Sequence, residues 1–139
     1  KTILDMNCKE PPKAPGMRYR HYAPKGQLSI VEGVQEQVSD TINRLCDQAA
    51  AEGKKTGIIC TDETISGYRA DSIKSVGSRD NEETIAHNLY RILREFDDED
   101  VEIIYSESFS SSGIGQAIMN RLLKAAGYHI IQLNQDENI

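Results

Sequence analysis

From Gln27 onward the chain alternates short β-branched runs with longer segments of helical period, and this rhythm limits the fold more than any other feature. A strand followed by a helix must return to its sheet by a crossover, so the pattern specifies parallel strands covered by helices. Leu28 to Val31 reads as a short strand. Val34, Val38, Ile42, Leu45 and Ala49 then recur at three and four residues, giving an apolar face to a helix that stops near Gly53. Thr56 to Thr61 is a buried strand around Ile58 and Ile59, and Ser72 to Val76 a weaker one interrupted by Lys74 and Ser75. Asp80 with Glu83 has the spacing of a capping box, opening a helix with Ile85, Leu89, Ile92, Leu93 and Phe96 inside and the acidic run 97–100 at its end. Val101 to Tyr105 is a fourth strand, Ile114 to Ala126 a third helix closed by Gly127, and Tyr128 to Leu133 a fifth strand. The expectation is α/β: a Rossmann-like three-layer sandwich with a mainly parallel five-stranded sheet flanked by helices.

The 139 residues suit one such domain, and no run of about twenty apolar residues or basic-then-apolar leader occurs, so a cytoplasmic location is expected. Charge is uneven. Between Lys9 and Lys25 five cations face one anion, a local +4, while residues 1 to 8 sum to zero. The formal charge of −6 therefore leaves −10 for residues 26 to 139, a body that repels duplex nucleic acid. Cys8, Cys46 and Cys60 form no C-x-x-C, and His21, His87 and His129 are scattered, so no metal site or disulfide framework is expected.

Sites in such a sheet lie beyond the carboxyl ends of the strands. One loop there, Ser106 to Gly115, carries serines at 108 and 110 to 112 before Gly113-Ile114-Gly115, and Ser112, Gly113 and Gly115 are candidates for an anion-binding turn at a helix start. The pair of glycines lacks the third of a dinucleotide fingerprint and the lysine of a P-loop, so capping by Ser112 and close packing by the glycines is the plainer account. The second, Thr61-Asp62-Glu63-Thr64, offers two carboxylates for magnesium but no third ligand, and turn formation explains them better. Cys46 and His87 fall on helices and make no catalytic constellation, so no catalytic residue is assigned.

The remaining chemistry is in the strap 14–24, Ala-Pro-Gly-Met-Arg-Tyr-Arg-His-Tyr-Ala-Pro. Pro15 and Pro24 favour extended backbone, and Gly16 frees a turn. Alternation along an extended segment places Met17, Tyr19 and His21 on one side and Arg18, Arg20 and Tyr22 on the other. Ordering so many large side chains needs compensation, which an arginine bond to phosphate or carboxylate supplies at about 1.5–3 kcal/mol. A strap that closes over an anionic ligand follows. Before it, Thr2 to Met6 followed by Pro11-Pro12 reads as a preceding domain's trailing edge, which divides the chain into a linker, 1–26, and a body, 27–139.

The strap resembles the interdomain signature of the long, two-domain threonylcarbamoyl-AMP synthases, and Gly113-Ile114-Gly115-Gln116-Ala117-Ile118-Met119-Asn120-Arg121-Leu122 resembles a segment near the end of their C-terminal domain. The resemblance implies a Rossmann-like C-terminal domain whose linker lies over the pocket of an N-terminal YrdC-like domain. That domain condenses threonine, bicarbonate and ATP, with magnesium, into threonylcarbamoyl-AMP and pyrophosphate, for a separate transferase system that makes threonylcarbamoyladenosine in tRNA. It places Pro15, Gly16, Met17, Tyr19, His21 and Tyr22 in the covering loop, with Arg18 and Arg20 as candidate anion contacts, and Tyr19 and His21 facing the ligand. The catalytic domain is absent from this sequence, so an accessory and gating part that is inactive alone, needing no cofactor of its own, is expected. The alternative is an independent small-nucleotide or metabolite-binding module using the Ser108 to Gly115 loop.

Overall fold

The computed structural model describes residues 23–109 and 113–133. The strap residues 15–22 and Ser112 lie outside them. The elements run β1 (Gln27–Glu32), α1 (Gln35–Ala51), β2 (Thr56–Cys60), a 3-10 turn (Ile65–Gly67), β3 (Ser72–Ser75), α2 (Glu82–Asp98), β4 (Ile103–Glu107), α3 (Gly113–Ala125) and β5 (Ile130–Gln132). The five strands form one sheet in the order β3-β2-β4-β1-β5, and every pairing is parallel. The fold is α/β and Rossmann-like, as the alternation requires.

Side-chain alternation divides the core into two layers. Leu28 and Ile30 of β1, Ile59 of β2 and Ile104 of β4 pack beneath α2 and α3 with Ile85, Leu89, Ile92, Leu93, Phe96 and Leu122. Val31, Ile58 and Cys60 point to the opposite face and meet Val38, Ile42 and Cys46 of α1 together with Tyr68. The connection from β1 passes over β4 on one face and that from β4 passes over β1 on the other, as right-handed crossovers demand. Neighbouring strands β1 and β4 thus send their chains in opposite directions, making a switch point at their carboxyl ends.

Several element ends differ from the sequence expectation for local reasons. Asn81, not Asp80, caps α2: its side-chain oxygen accepts the Thr84 amide at 3.2 Å. The fourth strand runs from Ile103 to Glu107, the expected length moved two residues along the chain at both ends. Asp100, at φ 60, and Val101, whose amide returns to the Phe96 carbonyl, still belong to the turn leaving α2. The fifth strand starts only at Ile130, because Gly127 and Tyr128 both take positive φ. Val34 caps α1 from outside and is 44% exposed, and the buried row continues through Cys46 while Leu45 is half-buried.

Candidate functional site

The displaced end of β4 puts Glu107, fully buried, at the carboxyl edge of the central strand beside the switch point. A buried carboxylate persists only if its oxygens are satisfied. Its Oε2 accepts the Tyr68 hydroxyl at 2.6 Å, the Thr64 hydroxyl at 2.6 Å and the Gln35 amide at 3.2 Å. Its Oε1 accepts Arg79 Nη2 at 2.8 Å and the Thr61 hydroxyl at 3.5 Å. These donors come from the start of α1, the loop after β2, the segment after the 3-10 turn and the loop between β3 and α2. One carboxylate therefore ties together the loops at the sheet's carboxyl edge.

Burial first, and then the bond to Glu107, holds the Tyr68 hydroxyl well above the ordinary phenol range, so it stays protonated as a donor. With both oxygens occupied, Glu107 has no free acceptor for general-base work. Arg79 is the charged donor of the group and only partly covered, its side chain 37% accessible. Its Nη2 also donates to the Ser108 carbonyl at 3.1 Å, and its guanidinium lies 5.0 Å from the centre of the Phe109 ring.

The carboxylates of the 61–64 loop are engaged by the protein. Asp62 accepts the Ser75 hydroxyl at 2.6 Å, and Glu63 accepts the Ser78 hydroxyl at 2.6 Å and the Arg79 amide at 3.1 Å. The Ser78 bond, followed by the amide, keeps the Glu63 carboxyl below its usual range. Among the described residues no three His, Cys, Asp or Glu side chains converge as a metal site. Gly113 begins α3 and Gly115 is buried within it. His87 is exposed, as its place on the polar side of α2 requires, and Cys46 and Cys60 are buried thiols, pushed up to about 11 and about 12 by desolvation. Sequence reasoning missed Glu107 and Arg79 because it ended the strand at Tyr105. The available signal was a charged residue closing the run Ile103-Ile104-Tyr105-Ser106-Glu107, beside a strand whose every residue is buried.

At the other end of the sheet, Gln27 donates its amide to the Glu102 carbonyl, and Lys25 donates its amide to Asp97 Oδ1 at 2.8 Å. The chain thus enters β1 at the amino edge of the sheet, the far end of β1 from Glu107.

Residues 1–127 match the family model "Threonylcarbamoyl-AMP synthase, C-terminal domain". The chain belongs to this family. A Bacillus subtilis threonylcarbamoyl-AMP synthase is 44% identical over 132 residues, covering 95% of this chain and 36% of the relative. The crystal structure of P. abyssi Sua5 complexed with L-threonine superposes with a TM-score of 0.75 at 41% identity, over 88% of this chain and 34% of that one. A second structure of that protein, with an adjacent histidine and tyrosine replaced by alanine, gives 0.73 at 38% identity, over 88% and 33%. The separately solved C-terminal Sua5 domain of Pyrococcus horikoshii gives 0.64 at 34% identity, covering 80% of this chain and all of that one. The chain thus spans about a third of the long members of the family and corresponds to their C-terminal domain. Among the described residues no helix is long and apolar enough to cross a membrane.

Proposed function

We propose that this chain is the accessory and gating part of a two-domain L-threonylcarbamoyl-AMP synthase, with residues 1–26 as interdomain linker and 27–139 as body. The partner is its own N-terminal YrdC-like domain, where threonine, bicarbonate, ATP and magnesium react to give threonylcarbamoyl-AMP and pyrophosphate. The strap, residues 15–22, covers that pocket and keeps water from a hydrolysable mixed anhydride. A tRNA-modifying transferase system consumes the product, in the cytoplasm. The observation that carries the reading is the family match through the strap, supported by a relative held with L-threonine. The altered histidine-tyrosine pair of the second P. abyssi structure adds support, since His21-Tyr22 is the sole such dipeptide in this sequence.

The test joins the chain to its catalytic domain and measures adenylate formation and pyrophosphate release for Tyr19→Ala, Arg20→Ala and His21→Ala. Loss of one charge-assisted bond, about 1.5–3 kcal/mol, lowers the yield by roughly ten- to a hundredfold. Unchanged yield in all three variants refutes gating, and pyrophosphate release by the 139-residue chain alone refutes its accessory role. A second reading, an independent small-nucleotide or metabolite-binding module, is favoured by one observation: Arg79 stands at the head of the Ser108 to Gly115 loop.

A further inference from the structure

The chain enters β1 through a bend at Lys25 and Gly26 that the body holds from both ends. The Lys25 amide donates to Asp97 Oδ1 at 2.8 Å, and the Gln27 amide to the Glu102 carbonyl at 2.9 Å. Between these bonds the Gly26 backbone lies so close to the opposing turn that a Cβ there would stand 2.5 Å from the Val101 carbonyl oxygen and 3.1 Å from the Glu102 carbonyl carbon. That turn is itself pinned. Asp100 takes φ 60, the Val101 amide returns to the Phe96 carbonyl, the Glu102 and Ile103 amides both donate to the Lys55 carbonyl, and Lys55 Nζ donates to the Glu99 carbonyl at 2.7 Å. Pro24 is buried as well. The Lys25 ammonium adds only an exposed pair with Asp100 at 3.5 Å, so the hold comes from the backbone.

A plain tether would need none of this. Asp97 stands in the last turn of α2, which has no basic residue, and a carboxylate at the negative end of a helix dipole is disfavoured unless donors such as the Lys25 amide reach it. Only Ala23 and Pro24 separate Lys25 from Tyr22, the last residue of the covering stretch. The proline ring fixes its own φ and biases Ala23 toward extended backbone, so few free torsions lie between the held bend and the strap. We infer that Lys25, Gly26 and Asp97 form a socket by which the body aims the strap, with Gly26 and Asp97 as positioning residues. A strap launched in one direction meets its pocket at a higher effective concentration than one on a free tether. The geometry of the socket rests on the described residues, and its use rests on the gating reading.

The test has two arms. In the 139-residue chain, whose C-terminal counterpart from Pyrococcus horikoshii was solved as a separate domain, amide hydrogen exchange is followed by NMR. The Lys25 amide exchanges at least about tenfold more slowly than an unstructured amide, and Gly26→Ala removes that protection while the Ile30 and Ile59 amides keep theirs. A Lys25 amide unprotected in the unaltered chain, or still protected in Gly26→Ala, overturns the socket whatever the strap does. In the chain joined to its catalytic domain, two glycines inserted between Ala23 and Pro24 leave the socket intact and free the strap from its direction. Lengthening a plain tether by two residues changes closure by less than about twofold, whereas loss of aim lowers adenylate yield at least about fivefold with the body's urea midpoint unchanged. A smaller loss, in a protein whose Tyr19→Ala, Arg20→Ala and His21→Ala variants do lose yield, overturns the aiming role and leaves gating standing. Unchanged yield in those three variants removes gating and the aiming role together, and Lys25 exchange still decides the socket. The insertion lies ahead of the held residues, so it decides even if Gly26→Ala fails to fold.

Discussion

Replacing Glu107 by glutamine is the perturbation on which the account of the carboxyl edge rests most heavily. Glutamine keeps the shape but offers one acceptor oxygen where the carboxylate has two. Turned toward Tyr68 and Thr64, that oxygen retains the two 2.6 Å bonds as neutral ones, and its amide then faces the Arg79 guanidinium. A bond to a charged acceptor contributes about 1.5–3 kcal/mol and one to a neutral acceptor about 0.5–1.5, so each hydroxyl loses about 1 kcal/mol. Arg79 is more than a third exposed and turns to water, so the lost ion pair adds about 1 kcal/mol rather than the larger cost of a fully buried pair. The total is about 3 kcal/mol. With a urea slope of about 2 kcal/mol/M, equilibrium unfolding of Glu107→Gln shows a midpoint lower by about 1.5 M. Tyr68→Phe in the Glu107→Gln background costs at least about 1 kcal/mol less than in the unaltered chain, because the two changes remove one shared interaction. A midpoint fall below about 0.5 M, or additive costs, refutes the claim that this carboxylate ties the loops together.

Other expectations concern the core and the surface. A Cβ built on Gly57 would lie 2.8 Å from the Phe96 ring and 3.0 Å from Val101, so Gly57→Ala destabilises by about 1–3 kcal/mol in urea unfolding, and Phe96→Leu added to it recovers part of that loss relative to additivity. Lys74 bridges Glu99 at 2.8 Å and Glu95 at 3.2 Å, and both carboxyls lie below their usual value of 4.5, Glu99 chiefly through Lys74 and Glu95 chiefly through Arg91. Depressed carboxyls stabilise the fold above the unfolded value and lose that contribution as pH falls through the folded one, so Lys74→Met flattens the stability-against-pH curve below about pH 4.5, measured by urea midpoints across that range. Cys46 and Cys60, buried and shifted to about 11 and about 12, resist alkylation near neutral pH and react only as the chain unfolds, which peptide mass spectrometry along a denaturant series reads directly.

The order of elements was legible because burial writes its period into the chain. Ile85, Leu89, Ile92, Leu93 and Phe96 fall on one helical face, and all five are buried under the sheet. The uninterrupted apolar centre of β2 likewise announced a strand covered on both sides, and all five of its residues are buried. Local rules were less reliable at the ends, where single hydrogen bonds decide: the Asn81 oxygen rather than that of Asp80 met the Thr84 amide, and the turn at Asp100 moved β4 along the chain.

The sequence by itself also fixed the division between a cationic leading segment and an acidic body, and through two short motifs the family to which both belong. Only the tertiary structure joined Gln35, Thr61, Thr64, Tyr68 and Arg79 around Glu107, residues up to 72 positions apart. No periodicity records such a meeting. Strand order β3-β2-β4-β1-β5 brings the loops to one edge, and the cost of burying a charge then requires those side chains to converge on it.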